Sequence, residues 1–226
     1  MIVIATTKQY NIDNYFKYIK DRYSSTLITD KDELNIKNIK SLNPDFIFFP
    51  HWSWIIPDEI YENFECVIFH MTDLPFGRGG SPLQNLIVMG EKDTKISALK
   101  ATKELDSGDI YMKENLSLDG KAIEIYERAS KIIFEKMIDK IINNTPKLTS
   151  QSGEIIEFKR RSPMQSDIQE LQTLEKIYDY IRMLDAPSYP HAFVQTKNFK
   201  IEFKDALHNG DILECKAIIS LKDKNE

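Results

Sequence analysis

Short apolar runs alternate with amphipathic stretches along the first two thirds of the chain. Apolar runs typical of buried parallel strands occur at 1–5, 26–28, 46–49 and 67–69, and further strands are predicted at 96–99 and 109–111. Over 11–23 and again over 122–142, apolar residues recur at spacings of three and four, as in a helix with one buried face. This alternation predicts an α/β fold, a mostly parallel sheet flanked by helices.

The pattern changes between residues 145 and 165, where Pro, Ser, Gly and a basic cluster replace the strand and helix signals. Beyond it, the sequence predicts a helix over 166–184 and strands around 192–195, 199–203 and 212–220. We therefore expect a main domain at 1–150, which is the candidate catalytic domain, and a small α+β subdomain at 151–226.

Composition narrows the function classes. The chain has 226 residues and a net charge of −5, which argues against a protein that grips a nucleic-acid backbone. No apolar run approaches the roughly 20 residues needed to span a membrane, and residues 1–5 are too short for a signal peptide, so we expect a cytoplasmic protein with no membrane partner. Cys66 and Cys215 are far apart and give no disulfide framework or metal-ligand spacing.

Candidate chemistry lies where the strands end. His70 follows the apolar strand 67–69 and precedes a Pro- and Gly-rich loop, after which Ser81 and Pro82 are predicted to cap and open a helix. His51 follows the strand 46–49 in the same way. Asp106 and Asp109 lie in a turn that contains Gly108 and leads into another strand. A histidine beside a carboxylate can take a proton from an amine nucleophile, and the carboxyl edge of such a sheet is the usual ligand site.

Three motifs together resemble one known family. They are HMTDLP at 70–75 with RGGSP at 78–82, LDSGDI at 105–110, and the tail segment at 181–193 with Tyr189-Pro190. The formyltetrahydrofolate-dependent formyltransferase family has the similar signature Asn-x-His-x-Ser-Leu-Leu-Pro, then Arg-Gly, then Asp-x-Gly-Asp-Ile. The resemblance covers most of the chain and is far more specific than any single motif.

The resemblance implies a Rossmann-like fold and transfer of a formyl group from the co-substrate 10-formyltetrahydrofolate to an amine. Position by position, it makes His70 and Asp106 the catalytic pair. It places the pterin of the folate beside the aromatic loop Trp52-Ser53-Trp54, which follows the strand 46–49, and beside the turn that carries Asp106. The implied folate-binding residues are Trp52, Ser53, Trp54, Lys103, Leu105 and Asp109. Packing in a core or interface stays an equal explanation for the two tryptophans.

One position departs from the family pattern. Two residues before the histidine the family has an asparagine that donates a hydrogen bond to the developing oxyanion, and this chain has Ile68. Loss of one such donor removes about 2.7–4 kcal/mol of transition-state stabilisation. We expect His51 to supply the missing donor, because its loop should reach the same edge of the sheet; protonated His70 is the second possibility.

The acceptor amine is not readable from the motifs, and the resemblance leaves several. Initiator-tRNA formyltransferases carry a C-terminal barrel, for which we expect the roughly 60 residues after Pro163 to be too few, and the tail argues against the ribonucleotide enzymes. We therefore expect the sugar N-formyltransferase branch, with an amino-deoxysugar substrate for surface glycans, folate as the other partner and no nucleic acid. The expected substrate-binding residues are Arg78, Arg160, Arg161 and Arg182. A methionyl-tRNA formyltransferase-like enzyme and a catalytically degenerate binding module stay open, as does a homodimer.

Overall fold

The computed structural model describes residues 1–222 of the chain. The strands are β1 (Ile2–Ala5), β2 (Ser25–Ile28), β3 (Phe46–Pro50), β4 (Cys66–His70), β5 (Phe76–Gly79), β6 (Asp93–Lys100), β7 (Ile110–Ser117), β8 (Ile156–Phe158), β9 (Ala192–Gln195), β10 (Phe199–Asn209) and β11 (Ile212–Leu221). The α-helices are α1 (Gln9–Tyr18), α2 (Ile36–Leu42), α3 (Asp58–Tyr61), α4 (Pro82–Val88), α5 (Ala122–Ile132), α6 (Ile138–Asn144) and α7 (Leu174–Arg182). A π-helical stretch, Ile133–Met137, joins α5 to α6, and short 3₁₀ helices lie at Lys31–Glu33 and Pro163–Ser166.

The main sheet has six strands in the order β2-β1-β3-β4-β6-β7. Strands β2, β1, β3 and β4 are parallel, whereas β6 runs antiparallel to β4 and places Ser97 beside His70. The predicted α/β fold with a mostly parallel sheet flanked by helices is therefore confirmed. In the β3–β4 register Pro50 lies beside Phe69, so the next residue of each strand, His51 and His70, comes to the same edge of the sheet.

Strand β3 explains why the central runs are apolar throughout. Ile47 and Phe49 pack into a cluster with Ile39 of α2 and Ile60 of α3. On the alternate position, Phe48 stacks on Phe69 with ring centroids 6.1 Å apart. A strand buried on both faces has no polar alternation, and this is the pattern of a central parallel strand.

The chain forms two compact units, each assembled from several segments. The first comprises 1–79, 94–116 and 126–158 and holds most of the six-stranded sheet. The second comprises 80–93, 117–125 and the chain from residue 159 onward, and it holds α4, α7 and an antiparallel sheet in the order β11-β10-β9. This antiparallel sheet with α7 confirms the predicted α+β subdomain. The boundary predicted at residue 150 stays a prediction.

Two local predictions differ from the structure. The helix predicted over 166–184 begins only at Leu174, because the side chain of Thr173 caps it by accepting the backbone N–H of Lys176. Ser81 has a left-handed backbone with φ of 52° and makes no capping bond, so only Pro82 opens α4 as predicted. Within residues 1–222 no helix is both long enough and apolar enough to cross a membrane.

Candidate active site

Strand β4 delivers His70 to its carboxyl end, where the side chain is 7% exposed. The ring Nε2 lies 2.7 Å from the carbonyl oxygen of Gly77, and Nδ1 lies 3.5 Å from Oδ2 of Asp106. Gly77 has φ of 76°, and a Cβ there would lie 2.7 Å from the ring of Phe158, so the loop requires glycine at this point. The Gly-rich loop after β4 thus fixes the orientation of the imidazole.

Asp106 lies in the loop between β6 and β7 and is 6% exposed. Its backbone is left-handed, with φ of 52°, which aspartate adopts more readily than most residues. The carboxylate accepts the backbone N–H of Gly79 at 3.0 Å and faces His70. A buried carboxylate needs such donors, because an uncompensated charge away from water is strongly unfavourable.

The contacts of the imidazole determine its proton-bearing nitrogen. A carbonyl oxygen only accepts, so Nε2 of His70 carries the proton that it donates to Gly77. Nδ1 is then the nitrogen that can take up a proton from a substrate, and the carboxylate of Asp106 lies where it stabilises the resulting imidazolium. This arrangement is suited to general-base catalysis.

The segment 149–158 ties the two site loops together. Thr149 exchanges backbone hydrogen bonds with Ile110, and β8 pairs in parallel with β5. Between these points, the side chain of Gln151 contacts Asp106, Gly108 and Arg78. Sequence reasoning missed Gln151, because a lone glutamine in a polar stretch gives no signal of its own.

His51 also occupies a left-handed backbone position, with φ of 52°. Its Nδ1 is 2.5 Å from the hydroxyl of Tyr10, and its ring lies 4.8 Å from that of Tyr126. Burial, with a smaller contribution from the charge of Lys8, lowers the pKa of His51 from 6.5 to about 3. The imidazole is therefore neutral at physiological pH.

Ile68 lies in the strand two residues before His70 and packs against Leu74 and Leu99. Its side chain offers no donor. His51 makes its hydrogen bond to Tyr10 rather than to a residue of β4. His51 is thus placed near His70 by the sheet edge that they share. The expected role of His51 as donor to the oxyanion stays a proposal.

The aromatic loop after β3 packs on the core and also presents a free donor. Trp52 lies edge-on to Phe49 and to Trp54, with ring centroids 6.1 Å and 4.9 Å apart. Its indole Nε1 is buried and has no hydrogen-bond partner within residues 1–222. The other expected folate-binding residues are exposed, apart from half-buried Asp109; they are Ser53, Trp54, Lys103 and Leu105.

Of the four arginines expected to bind substrate, Arg182 is unsuited to that role. It is 4% exposed, pairs with Asp179 at 2.7 Å, and donates to the carbonyls of Leu118 and Gly120 at 2.6 and 2.9 Å. The expectation that Arg182 holds a substrate is therefore corrected: its guanidinium is consumed by contacts inside the second unit.

The remaining three arginines differ in surroundings. Arg78 is half-buried and donates to the neutral amide of Gln151. Arg161 lies over the ring of Tyr180 and donates to the carbonyl of Gln165 at 2.6 Å. Arg160 is exposed. Arg78 belongs to the first unit with the His70–Asp106 pair, whereas Arg160 and Arg161 belong to the second.

Comparison with known proteins identifies two family models. Residues 5–132 match the model described as formyl transferase, and residues 163–220 match the C-terminal domain of methionyl-tRNA formyltransferase. Among curated relatives, methionyl-tRNA formyltransferase of Rickettsia canadensis is 32% identical over 53% of this chain and 40% of its own length. That of Thermodesulfovibrio yellowstonii is 29% identical over 87% of this chain and 65% of its own. The chain thus spans roughly half of the curated relatives that it matches.

Among solved structures, methionyl-tRNA formyltransferase from Clostridium thermocellum is 52% identical, with a TM-score of 0.95 over 98% of this chain and 99% of that one. HypX from Aquifex aeolicus in complex with tetrahydrofolic acid is 17% identical, with a TM-score of 0.76 over 91% of this chain and 37% of that one. WlaRD, a sugar 3N-formyl transferase, is 18% identical, with a TM-score of 0.60 over 99% of this chain and 98% of that one. At these low identities, the likeness to HypX and to WlaRD shows only that this chain shares their fold.

These findings correct the expected acceptor. The predictions of an amino-sugar substrate and of no nucleic-acid partner are wrong: the relatives of higher identity are methionyl-tRNA formyltransferases, and the sugar enzymes share only the fold. The expectation that the tail is too short for the C-terminal domain of the tRNA enzymes is wrong as well, because residues 163–220 match the model of that domain. Net charge does not exclude a nucleic-acid partner, because it describes the whole surface and not the face that meets a ligand.

If Arg182 is structural, Arg182→Met should lower the free energy of unfolding by about 3–5 kcal/mol, since it leaves Asp179 without its partner. Arg160→Met, the same change at an exposed position, should alter it by no more than about 0.5 kcal/mol. Urea unfolding followed by circular dichroism measures both. Wild-type stability in Arg182→Met would contradict this assignment.

The lowered pKa of His51 predicts an acid sensitivity. Between its ordinary value of 6.5 and about 3, the unfolded chain binds a proton at residue 51 that the folded chain excludes, so stability falls as the pH drops through this interval. His51→Asn, which tolerates the left-handed backbone, should lose less stability than wild type between about pH 7 and pH 5. Urea unfolding at both pH values tests this. If wild type and His51→Asn lose the same stability between these pH values, the pKa of His51 is not lowered in the folded protein.

Proposed function

Because the chain belongs to the formyl transferase family, we propose that it transfers a formyl group from 10-formyltetrahydrofolate to the amino group of methionyl-tRNA. The observation that carries the proposal is the 52% identity, along nearly the whole of both chains, to methionyl-tRNA formyltransferase from Clostridium thermocellum. The buried His70–Asp106 pair supports it with chemistry that suits an amine nucleophile.

In this proposal His70 is the general base. As the amine nitrogen attacks the formyl carbon, its proton passes to Nδ1 of His70, and Asp106 stabilises the positive charge on the ring. When the bond between the formyl carbon and N10 of the folate then breaks, the proton on His70 passes to that nitrogen, so tetrahydrofolate leaves and the imidazole is neutral again. The carbonyl of Gly77 holds the ring in one tautomer throughout. Since both side chains are less than a tenth exposed, their electrostatic interaction is screened by little water.

We propose that His51 serves the developing oxyanion in place of the missing asparagine. If the Tyr10 hydroxyl donates to Nδ1 of His51, the proton of the neutral ring is on Nε2, which is then a donor. A neutral imidazole can act in this way, as in triosephosphate isomerase, where a histidine polarises a carbonyl. The β3–β4 register supports the placement, because His51 and His70 end adjacent strands.

The loop after β3 fits the proposed folate site. The unpartnered Nε1 of Trp52 is a donor for a pterin oxygen or nitrogen, and exposed Trp54 offers a flat apolar surface beside it. Main-chain groups around Lys103, Leu105 and Asp109 are the other proposed contacts. The folate supplies the activated formyl group, and these residues bind and orient it.

For the tRNA, we propose that Arg78, Arg160 and Arg161 contact phosphates. A guanidinium forms paired hydrogen bonds with phosphate oxygens, and it keeps its charge at every physiological pH. Arg78 and Arg160 pair with no carboxylate within residues 1–222, which leaves their charges available to an anion.

His70→Asn and Asp106→Ala should each lower the rate of formyl transfer to methionyl-tRNA by about 10²–10⁴-fold, because each removes part of the general base. The measurement is the formation of formylmethionyl-tRNA from 10-formyltetrahydrofolate under single-turnover conditions. His191→Asn, the same kind of change in the second unit, serves as the control and should retain the wild-type rate.

Two outcomes would contradict the proposal. Full activity in His70→Asn or Asp106→Ala would remove these residues from the chemistry. Folate binding by the wild-type protein without transfer to methionyl-tRNA would instead favour a degenerate formyltransferase fold that only binds its ligands.

His51→Ala should lower the single-turnover rate by about 10²–10³-fold, the usual loss when one oxyanion donor is removed. Binding of folate, measured by fluorescence titration, should change far less, since the oxyanion forms only during the reaction. Near-normal turnover in a folded His51→Ala protein would assign the oxyanion to another donor.

A further inference from the structure

We infer that Gln151 is a positioning residue that holds the carboxylate of Asp106 in place for His70. The inference rests on the proposed function, in which Asp106 stabilises the protonated imidazole. Gln151 lies outside all three sequence motifs. Gln151 lies 45 residues after Asp106 in sequence.

The amide of Gln151 is fully engaged. Its Nε2 donates to the carbonyl oxygens of Asp106 and Gly108, both at 2.8 Å. Its Oε1 accepts from Nε and Nη2 of Arg78, at 3.1 and 2.8 Å. Both hydrogens and the oxygen of the amide are thus used, and one side chain joins the loop that carries Asp106 to strand β5.

Arg78 fixes which way the amide faces. A guanidinium has donors only, so it demands the amide oxygen, while the two carbonyls accept only and demand the amide nitrogen. Rotation of the amide by half a turn would set donor against donor and acceptor against acceptor. The orientation is therefore determined by chemistry, although amide oxygen and nitrogen look alike in shape.

The loop between β6 and β7 needs hydrogen bonds from another segment to keep Asp106 in place. Residues 102–105 are exposed, whereas Asp106 is buried with a left-handed backbone, a conformation that is strained for a residue other than glycine and that persists only where neighbouring contacts enforce it. Two hydrogen bonds from Gln151, one on each side of Ser107, pin the backbone on both sides of the turn.

The contacts form a closed ring. Gln151 holds the backbone of Asp106, the carboxylate of Asp106 accepts the N–H of Gly79, and Gly79 directly follows Arg78, which holds Gln151. A shift of Asp106 therefore disturbs every member of the ring. Because a misplacement of about 1 Å can lower a rate by roughly 10²-fold, the ring sets the quality of the His70–Asp106 contact.

Two variants distinguish the contact of Gln151 with Arg78 from its contacts with the carbonyls of Asp106 and Gly108. Gln151→Leu removes all four hydrogen bonds. Gln151→Glu keeps the length of the side chain and its contact with Arg78, but it directs a carboxylate oxygen at the carbonyls of Asp106 and Gly108. Both should lower kcat for formyl transfer by about 10- to 100-fold, and Gln151→Glu should also raise KM for methionyl-tRNA, because its carboxylate pairs with Arg78. Gln172→Leu and Gln172→Glu make the same changes at an exposed glutamine and should leave both constants unchanged.

A double-mutant cycle distinguishes positioning from general support of the fold. In the Asp106→Ala background, Gln151→Glu should lower kcat by less than about twofold more, because the group that Gln151 positions is already gone. An effect of full size in that background would overturn the inference, as would wild-type kcat in Gln151→Glu. If Gln151→Leu fails to fold, Gln151→Glu carries the test alone.

Amide hydrogen exchange of Gly79 tests the hold independently of turnover. The N–H of Gly79 is bonded to Asp106, so Gln151→Glu should speed its exchange at least about 10-fold relative to Gln172→Glu. If wild-type protein does not formylate methionyl-tRNA, the proposed function fails while this result still stands. Unchanged exchange at Gly79 would overturn the inference itself.

Discussion

A carboxylate taken out of water has to be met by hydrogen-bond donors, and the arrangement of the site follows from that requirement at Asp106. The group is 6% exposed, its carboxylate accepts the N–H of Gly79 at the end of β5, and the ring of His70 at the end of β4 lies 3.5 Å away, where it carries positive charge once protonated. The loop that carries Asp106 must therefore lie close to the ends of β4 and β5, although α4 and β6 separate them in sequence. Glycines permit close packing of both regions against neighbouring strands: a Cβ on Gly79 would lie 2.5 Å from the carbonyl oxygen of Phe158 in β8, and one on Gly108 would overlap the carbonyl oxygen of Lys100 in β6.

The same requirement explains the course of the chain after α6. The segment 149–158 leaves the helix, pairs with Ile110, passes Asp106 and then joins β5 as β8. Apart from this segment, Asp106 is tied to the other side of the site by the N–H of Gly79 and by its approach to His70. The hydrogen bonds of the segment convert that contact into a fixed geometry, which is the condition for a base and its carboxylate to act together.

Much of this could be predicted from the sequence. The apolar runs predicted β1, β3 and β4, the predicted strand ends gave the positions of His51 and His70, and the resemblance to the formyltransferase family implied the pairing of His70 with Asp106. Other features could not be predicted. Arg182 belongs to a motif and looks like a ligand for phosphate, yet its partners, Leu118 and Gly120, lie more than 60 residues away in sequence. The acceptor was predicted wrongly, because overall charge and tail length do not reveal which surface a substrate meets.

The sequence by itself determined the sheet and the types of chemical group at its edge. Hydrophobic burial is additive and tolerant of detail, so a run such as Ile47–Phe48–Phe49 indicates a buried strand wherever the rest of the chain lies. Only the tertiary structure decided that Gln151 faces Asp106 and that Ile68 packs against Leu99. Hydrogen bonds act over about 3 Å and in narrow directions, and their partners are known only once distant segments have been brought together.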